Sequence, residues 1–183
     1  ENAIIEASGR LPVPTGAQVR ESLVRAIAEY NKKGFTTFQD GGLGINGEAE
    51  VFLRPYMELA REGWLNARAY LQLLPSEMDK LISLGVWGIG NDHMKIGGVK
   101  YFTDGSIQGF TGALLEDYYT RPGYKGALLW SQEEIDEIII KYHCLGFQVA
   151  VHTNGDAASE SVIQAFEKAV ERCPRTDLRH MLI

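Results

Sequence analysis

Two stretches of this chain end in residues that can do chemistry. Gly98-Val99-Lys100-Tyr101-Phe102-Thr103-Asp104-Gly105-Ser106 and Phe147-Gln148-Val149-Ala150-Val151-His152-Thr153-Asn154-Gly155-Asp156 each read as a buried strand running into a glycine-containing turn. Parallel sheets and barrels place their active sites at the C-terminal ends of strands. Side chains alternate along a strand, so Lys100, Phe102 and Asp104 share one face. In the later strand Phe147, Val149 and Val151 form an apolar face, and Gln148, Ala150 and His152 point the other way. If that second face is a barrel interior, Lys100 and His152 both project inward.

A lysine in such an interior has a lowered pKa, which frees a nucleophilic amine. Three uses follow: a Schiff base with a carbonyl substrate, a carbamate that offers anionic oxygens to metal, or an ion pair with Asp104. A neutral imidazole at His152 is a common metal ligand, against the plainer reading of a hydrogen-bonded structural histidine. Asp156 sits where it can cap the following helix. Gln39 and Asp40, ahead of Gly41-Gly42, could line a pocket or simply begin a turn. His93 lies in a turn rich in Gly, Asn and Asp, where exposure is expected, and His143 lies mid-helix. No HExxH, GxSxG, P-loop or GxGxxG is present. Cys144 and Cys173 form no CxxC and read as two reduced, partly buried thiols.

The elements that must position these residues repeat as helix, glycine, strand. A helix is expected from about Ala17 to Lys33, with Thr15 and Gln18 as a capping box and Gly34 at its end. A strand over Phe35–Asp40 follows, then a helix over Glu48–Glu62 that Pro55 either kinks or delays. The spacing next predicts a strand over Asn66–Leu73, a short helix over Glu77–Leu84, and the Lys100 strand. Residues 107–130 break the rhythm; their aromatic content predicts an ordered flap. Ser131 and Glu134 form a second capping box, before a helix to Leu145, the His152 strand, a helix over Ala157–Arg172, and a strand within Leu178–Ile183. Strand–helix alternation implies a parallel sheet, with one domain over residues 1–183. It is either an open five-stranded sheet or part of a barrel.

Bulk properties narrow the partners. A net charge of −6 disfavours a nucleic-acid backbone, and no apolar run reaches the ~18 residues of a membrane helix. The first residues, Glu1–Glu6, lack the positive start of a signal peptide, so a cytoplasmic location is expected.

The motifs together resemble a known family. Val99-Lys100-Tyr101-Phe102-Thr103-Asp104-Gly105-Ser106 resembles the V-K-x-F-x-D-G-S strand of the amidohydrolase superfamily, in the branch that includes N-substituted formamide deformylase. Thr111–Tyr118 with Pro122, Gly123 and Gly126 resembles the flap after that strand. Val151–Asp156 resembles the V-H-x-x-G-D strand end, Leu178–Ile183 an L-R-H-x-I-E segment and, more loosely, Gly34–Asp40 a G-x-T-T-x-x-D strand.

The resemblance implies an α/β fold that is part of a (β/α)8 barrel metallo-hydrolase, with about five of the eight strand–helix units. It implies hydrolysis of an amide or related non-peptide C–N bond in a small-molecule substrate, with one or two divalent metals, usually zinc. Lys100 matches the position that can be carboxylated and bridge metals, and His152 a metal-ligand histidine. Asp104 and Asp156 match positions near the site, here expected to support the ligands. His180 matches a non-ligand histidine; the metal-binding one would stand just beyond Ile183. The family's first-strand H-x-H pair and final-strand Asp have no counterpart among these residues, so the match is to the middle of such an enzyme, roughly strands two to six. The alternatives are a Schiff-base lyase or aldolase-like barrel built on Lys100, and a catalytically incomplete piece without activity.

Overall fold

A computed structural model describes residues 12–45, 49–86, 88, 90–175 and 177–183. The expectations placed on Glu1–Glu6 and on a helix start at Glu48 lie outside those residues. The chain groups into two compact units, Glu1–Gly97 and Gly98–Ile183, whose boundary falls inside a strand.

The first unit runs α1 (Gly16–Lys32), β1 (Thr37–Leu43), α2 (Ala49–Glu62), β2 (Arg68–Leu73), α3 (Pro75–Ser83) and the start of β3 (Met94–Phe102). The capping box forms as its sequence requires: Gln18 N donates to Thr15 Oγ1 at 3.3 Å, and Thr15 N donates to Gln18 Oε1 at 2.8 Å. The helix stops where Gly34 takes a φ of +82°, a conformation open to glycine at no steric cost. Pro55 lies buried inside α2 and does not delay its start beyond Ala49. β1 and β2 pair in parallel, from Thr37 opposite Arg68 to Leu43 opposite Leu73. A helix between successive strands is the connection that parallel pairing demands. Leu59, Leu71 and Leu73 are fully buried and anchor the core of this unit. Within β3, Gly97 leaves room for the Tyr70 ring, since a Cβ there would lie 1.9 Å from it.

The second unit holds the rest of β3, a connection through residue 131, α4 (Gln132–Cys144), β4 (Gln148–His152), α5 (Asp156–Arg172) and β5 (Met181–Leu182). β3 and β4 pair in parallel from Gly98 opposite Gln148 to Phe102 opposite His152, and β4 pairs with β5 at Ala150 and Met181. Val99, Val149 and Val151 are fully buried, as are Ile135, Ile139 and Tyr142 of α4. Ser131 and Glu134 close the second capping box. The sheet order is β1-β2-β3 in the first unit and β3-β4-β5 in the second. Parallel strands alternating with helices make an α/β fold, corresponding to about five strand–helix units of a (β/α)8 barrel.

Two features at the far end of the second unit depart from the sequence reading. Cys144 and Cys173 are joined in a disulfide, with Cα atoms 5.4 Å apart, so the expectation of two reduced thiols is corrected. The two cysteines sit at equivalent places, the ends of successive helices packed side by side. Their separation of 29 residues carries no local signal. Beside them His143 is buried, not merely mid-helix: its Nδ1 lies 2.8 Å from His180 Nε2 and its Nε2 lies 2.8 Å from Cys173 O. Val149 N donates to His180 Nδ1 at 3.0 Å. That bond fixes every proton in the chain: His180 carries its proton on Nε2 and donates to His143, which donates from Nε2 to the Cys173 carbonyl. Both rings are therefore neutral. Burial, and then the neighbouring His143, hold the His180 pKa down to about 4.

The disulfide closes a loop long enough to matter. Reducing it is expected to lower unfolding stability by about 3–4 kcal/mol on the loop-entropy model, read as a fall in the denaturant midpoint. The double substitution Cys144→Ser, Cys173→Ser should show the same fall and no further response to reductant. An unchanged midpoint in both cases would remove the bridge as a constraint.

Candidate active site

Register decides what β3 and β4 present together. Lys100 stands opposite Ala150 and Phe102 opposite His152, so all four side chains share one face. Lys100 is 5% exposed, and its Nζ has no hydrogen-bond partner. The amine lies over the Phe102 ring, 4.5 Å from its centroid. The other neighbour of that ring is His152, at a centroid distance of 5.5 Å. Phe102 thus separates an unpaired amine from an imidazole. Burial lowers the Lys100 pKa from its usual 10.5 to about 8. The ion pair with Asp104 that the sequence left open does not form: Asp104 spends its oxygens on backbone N–H groups.

His152 is half-buried, and its Nε2 lies 3.0 Å from the Gly105 carbonyl. Asn154 Nδ2 donates to the same carbonyl at 2.6 Å and also lies 3.0 Å from His152 Nε2. Nε2 donates to the carbonyl in one tautomer and accepts from the Asn154 amide in the other, so these contacts engage Nε2 in either case and leave Nδ1 outside them.

Asp104 is 2% exposed. It accepts from Asn154 N at 2.9 Å, Gly155 N at 2.7 Å and Ala113 N at 3.0 Å. Asp156 is exposed and accepts from Leu115 N at 2.8 Å and Ala157 N at 2.9 Å. The N-cap of α5 is Gly155, which offers no side chain, so Asp156 is the first helical residue and not the cap itself.

The connection over residues 107–130 is ordered, as its aromatic content predicts. Tyr118 is buried, stacks on Tyr124 and donates to Gly112 O at 2.9 Å, while Tyr124 donates to Phe110 O at 3.0 Å. Tyr119 is the exception, 99% exposed. The flap closes on Trp130, whose Nε1 donates to Phe102 O at 2.8 Å and whose ring stacks on Tyr101. Burial, with Glu134 nearby, raises the Tyr101 phenol to about 12, so it stays neutral.

Gln39 belongs to the first unit. Its Nε2 donates to Gln72 Oε1 at 3.0 Å, and the fully buried Gln72 Nε2 is left with no partner. Asp40 accepts from Tyr56 OH at 3.0 Å; burial first, then Asp40, pushes that phenol well above its ordinary pKa. Sequence reasoning passed over Gln72, whose signal was its place on the same strand face as Tyr70. It also read Asn154 only as a turn residue.

The comparisons with known proteins agree with this architecture. The profile of the Amidohydrolase family matches residues 2–182. The chain belongs to that family. It is 30% identical over 159 residues to YtcJ of Bacillus subtilis (strain 168), which carries an amidohydrolase name; the match takes in 87% of this chain and 30% of that one. The Arabidopsis thaliana protein LONG AFTER FAR-RED 3 is 24% identical over 176 residues, again 30% of its length. The chain therefore spans about a third of the curated relatives it matches. An uncharacterized metal-dependent hydrolase from Pyrococcus horikoshii OT3 superposes with a TM-score of 0.81 at 28% identity, covering 100% of this chain and 40% of that structure. A second, from Pyrococcus furiosus, gives 0.79 at 31% identity over 92% of this chain and 36% of that structure.

Among the described residues no group of three or more His, Cys, Asp or Glu could hold a metal ion. No helix among them is long and apolar enough to cross a membrane. Lys100 and His152 nonetheless suit a metal as part of a larger donor set. One is a buried nitrogen without a partner, the other a ring whose Nδ1 lies outside its polar contacts. A zinc site takes three or four protein donors, more than these two residues supply.

The lowered Lys100 pKa has a consequence for stability. The unfolded chain binds one more proton than the folded one between about pH 8 and 10.5, so stability rises with pH across that window. Below pH 8 the full cost of the buried charge is present. In metal-free protein, Lys100→Met is expected to be more stable than wild type at pH 7, by on the order of 1–3 kcal/mol. The difference should shrink between pH 8 and 10.5. A constant difference across that range, in denaturant midpoints, would show the amine to be solvated.

Proposed function

We propose that this chain is the central portion of a metal-dependent amidohydrolase that cleaves an amide or related non-peptide C–N bond of a small molecule. The observation that carries this reading is the pairing of a buried, partnerless Lys100 amine with His152 on one face of adjacent parallel strands, in a chain of the amidohydrolase family. The crystallographic neighbours named as metal-dependent hydrolases support it. The formamide deformylase branch is the finer form of the proposal and rests on the Val99–Ser106 motif.

The chain's own residues have definite tasks in this reading. With a pKa of about 8, Lys100 is a free amine in about a tenth of molecules at pH 7. That amine adds carbon dioxide: a C–N bond forms, one N–H proton leaves, and the product is an anionic carbamate with two oxygen donors. His152 offers Nδ1 while the Gly105 carbonyl and the Asn154 amide engage its Nε2. A divalent ion held by these donors, zinc being our expectation, lowers the pKa of water and polarises a carbonyl. Phe102 keeps water from the Lys100 stem, which favours the neutral amine that carboxylation needs. The remaining donors come from the parts of the barrel that the longer relatives have and these residues do not span. Gln39 lines a pocket of the first unit with Ile27, Tyr30 and Tyr56, and Asp156 supports the flap in this proposal.

The test uses the complete protein. Lys100→Ala is expected to lower kcat/KM for amide substrates at least 10³-fold and to reduce bound metal, measured by elemental analysis. Carbon-13 bicarbonate should give a carbamate resonance in wild type that the variant lacks. Trapping of a carbonyl substrate by borohydride at Lys100 would instead identify Schiff-base chemistry. Full activity in Lys100→Ala would remove the assignment.

A further inference from the structure

We propose that Asp104 is a positioning residue, whose buried carboxylate ties the flap to the β4–α5 turn and thereby sets the ring of His152. The inference deepens the metal-site reading, and only its metal-affinity arm depends on that reading.

The geometry converges from two separate segments. Oδ2 of Asp104 accepts from Ala113 N at 3.0 Å and Gly155 N at 2.7 Å; Oδ1 accepts from Asn154 N at 2.9 Å. Ala113 lies in the flap, 9 residues on, and the other two lie in the turn, 50 and 51 residues on. The carboxylate is therefore a buried acceptor for three amides to which, among the described residues, neither segment offers another acceptor. Leaving such N–H groups unpaired costs more than a typical hydrogen bond gains.

The flap answers in kind. Ala113 O accepts from Ala157 N at 3.1 Å and Ala158 N at 3.4 Å, so a carbonyl from the flap takes the place of the side-chain cap that α5 lacks. This approach needs Gly155, since a Cβ there would fall 1.8 Å from Ala113 O.

The link to His152 runs through the next residue. Gly105 N donates to Thr111 O in the flap at 2.9 Å, Gly105 O lies 3.0 Å from His152 Nε2 and accepts from Asn154 Nδ2, and that amide itself lies 3.0 Å from His152 Nε2. Asp104 holds the Asn154 backbone on one side and precedes Gly105 on the other. Both groups that meet the imidazole at Nε2 are thus attached to backbone that Asp104 anchors. A polar partner one step removed from a ligand commonly controls metal affinity by about 10–100-fold.

The variant that isolates this role is Asp104→Asn in the complete protein. It keeps the shape and turns one acceptor oxygen into an amide NH2 that faces an N–H. In metal-free protein the amides of Ala113, Asn154 and Gly155 are expected to exchange at least tenfold faster, and the nitrogen-15 signals of the His152 ring, which report its tautomer, should shift. In metal-loaded protein Kd for zinc should rise about 10–100-fold. Asp117→Asn is the control: it removes the bond to Gly123 N within the flap and should leave ring and Kd unchanged. If Asp104→Asn loosens the flap yet leaves the His152 tautomer and Kd at wild-type values, the proposal is overturned. If the variant does not fold, native-state exchange of wild type decides: one common opening rate for the three amides supports the proposal, and three unrelated rates refute it. A wild type that binds no metal would sink the metal-site reading alone, because the exchange and ring measurements stand without it.

Discussion

The parallel register between β3 and β4 is the constraint on which the rest of this molecule depends. Strand periodicity is two, so a slip of one residue would send His152 into the helix-packed side and bring Val151 to the face that Lys100 occupies. What opposes the slip is the apolar burial of Val99, Val149 and Val151; on the other parity Ala150 is fully buried but stands beside Lys100 and the half-buried His152. The chemistry-bearing face is therefore held in place by the face that carries none.

Polarity on that face is deliberately incomplete. Elsewhere in the second unit the buried polar groups are matched: Thr103 donates to His152 O at 2.8 Å, Asp104 accepts three N–H bonds, and the His143–His180 pair runs from Val149 N to Cys173 O without a gap. Lys100 stands against this pattern, with a buried Nζ that meets only the face of an aromatic ring. A ring quadrupole offsets only part of what an ammonium loses on leaving water. Under the proposed function, that one costly position is where reactivity is expected, since perturbed titratable groups gather at functional sites.

The two ends of the strands differ in character for the same reason. At the C-terminal ends, glycines allow the flap and the β4–α5 turn to approach within van der Waals limits, and hydrogen bonds there converge on loops. At the N-terminal ends, a disulfide and a neutral histidine pair join helix ends to the strand that follows. Barrel proteins divide labour along this axis, with function at one rim and stability at the other, and this chain follows that division.

The sequence by itself determined the alternation of helix and strand, both capping boxes, the order of the flap, and the strand parity of Lys100 and His152. Each of these is written in residues a few positions apart, through 3.6- and 2-residue periods and the demands of helix ends. The family motif extended that reading to a barrel. Only the tertiary structure decided that Cys144 meets Cys173, that Asp104 binds backbone and not Lys100, that Gly105 O meets His152 Nε2, and that Ala113 O caps α5. These contacts join residues 29 to 50 positions apart, or a side chain to a main-chain atom whose direction no residue identity encodes. Local spacing fixes which groups a strand can offer. The packing of one loop on another fixes which atom of each group remains free to act.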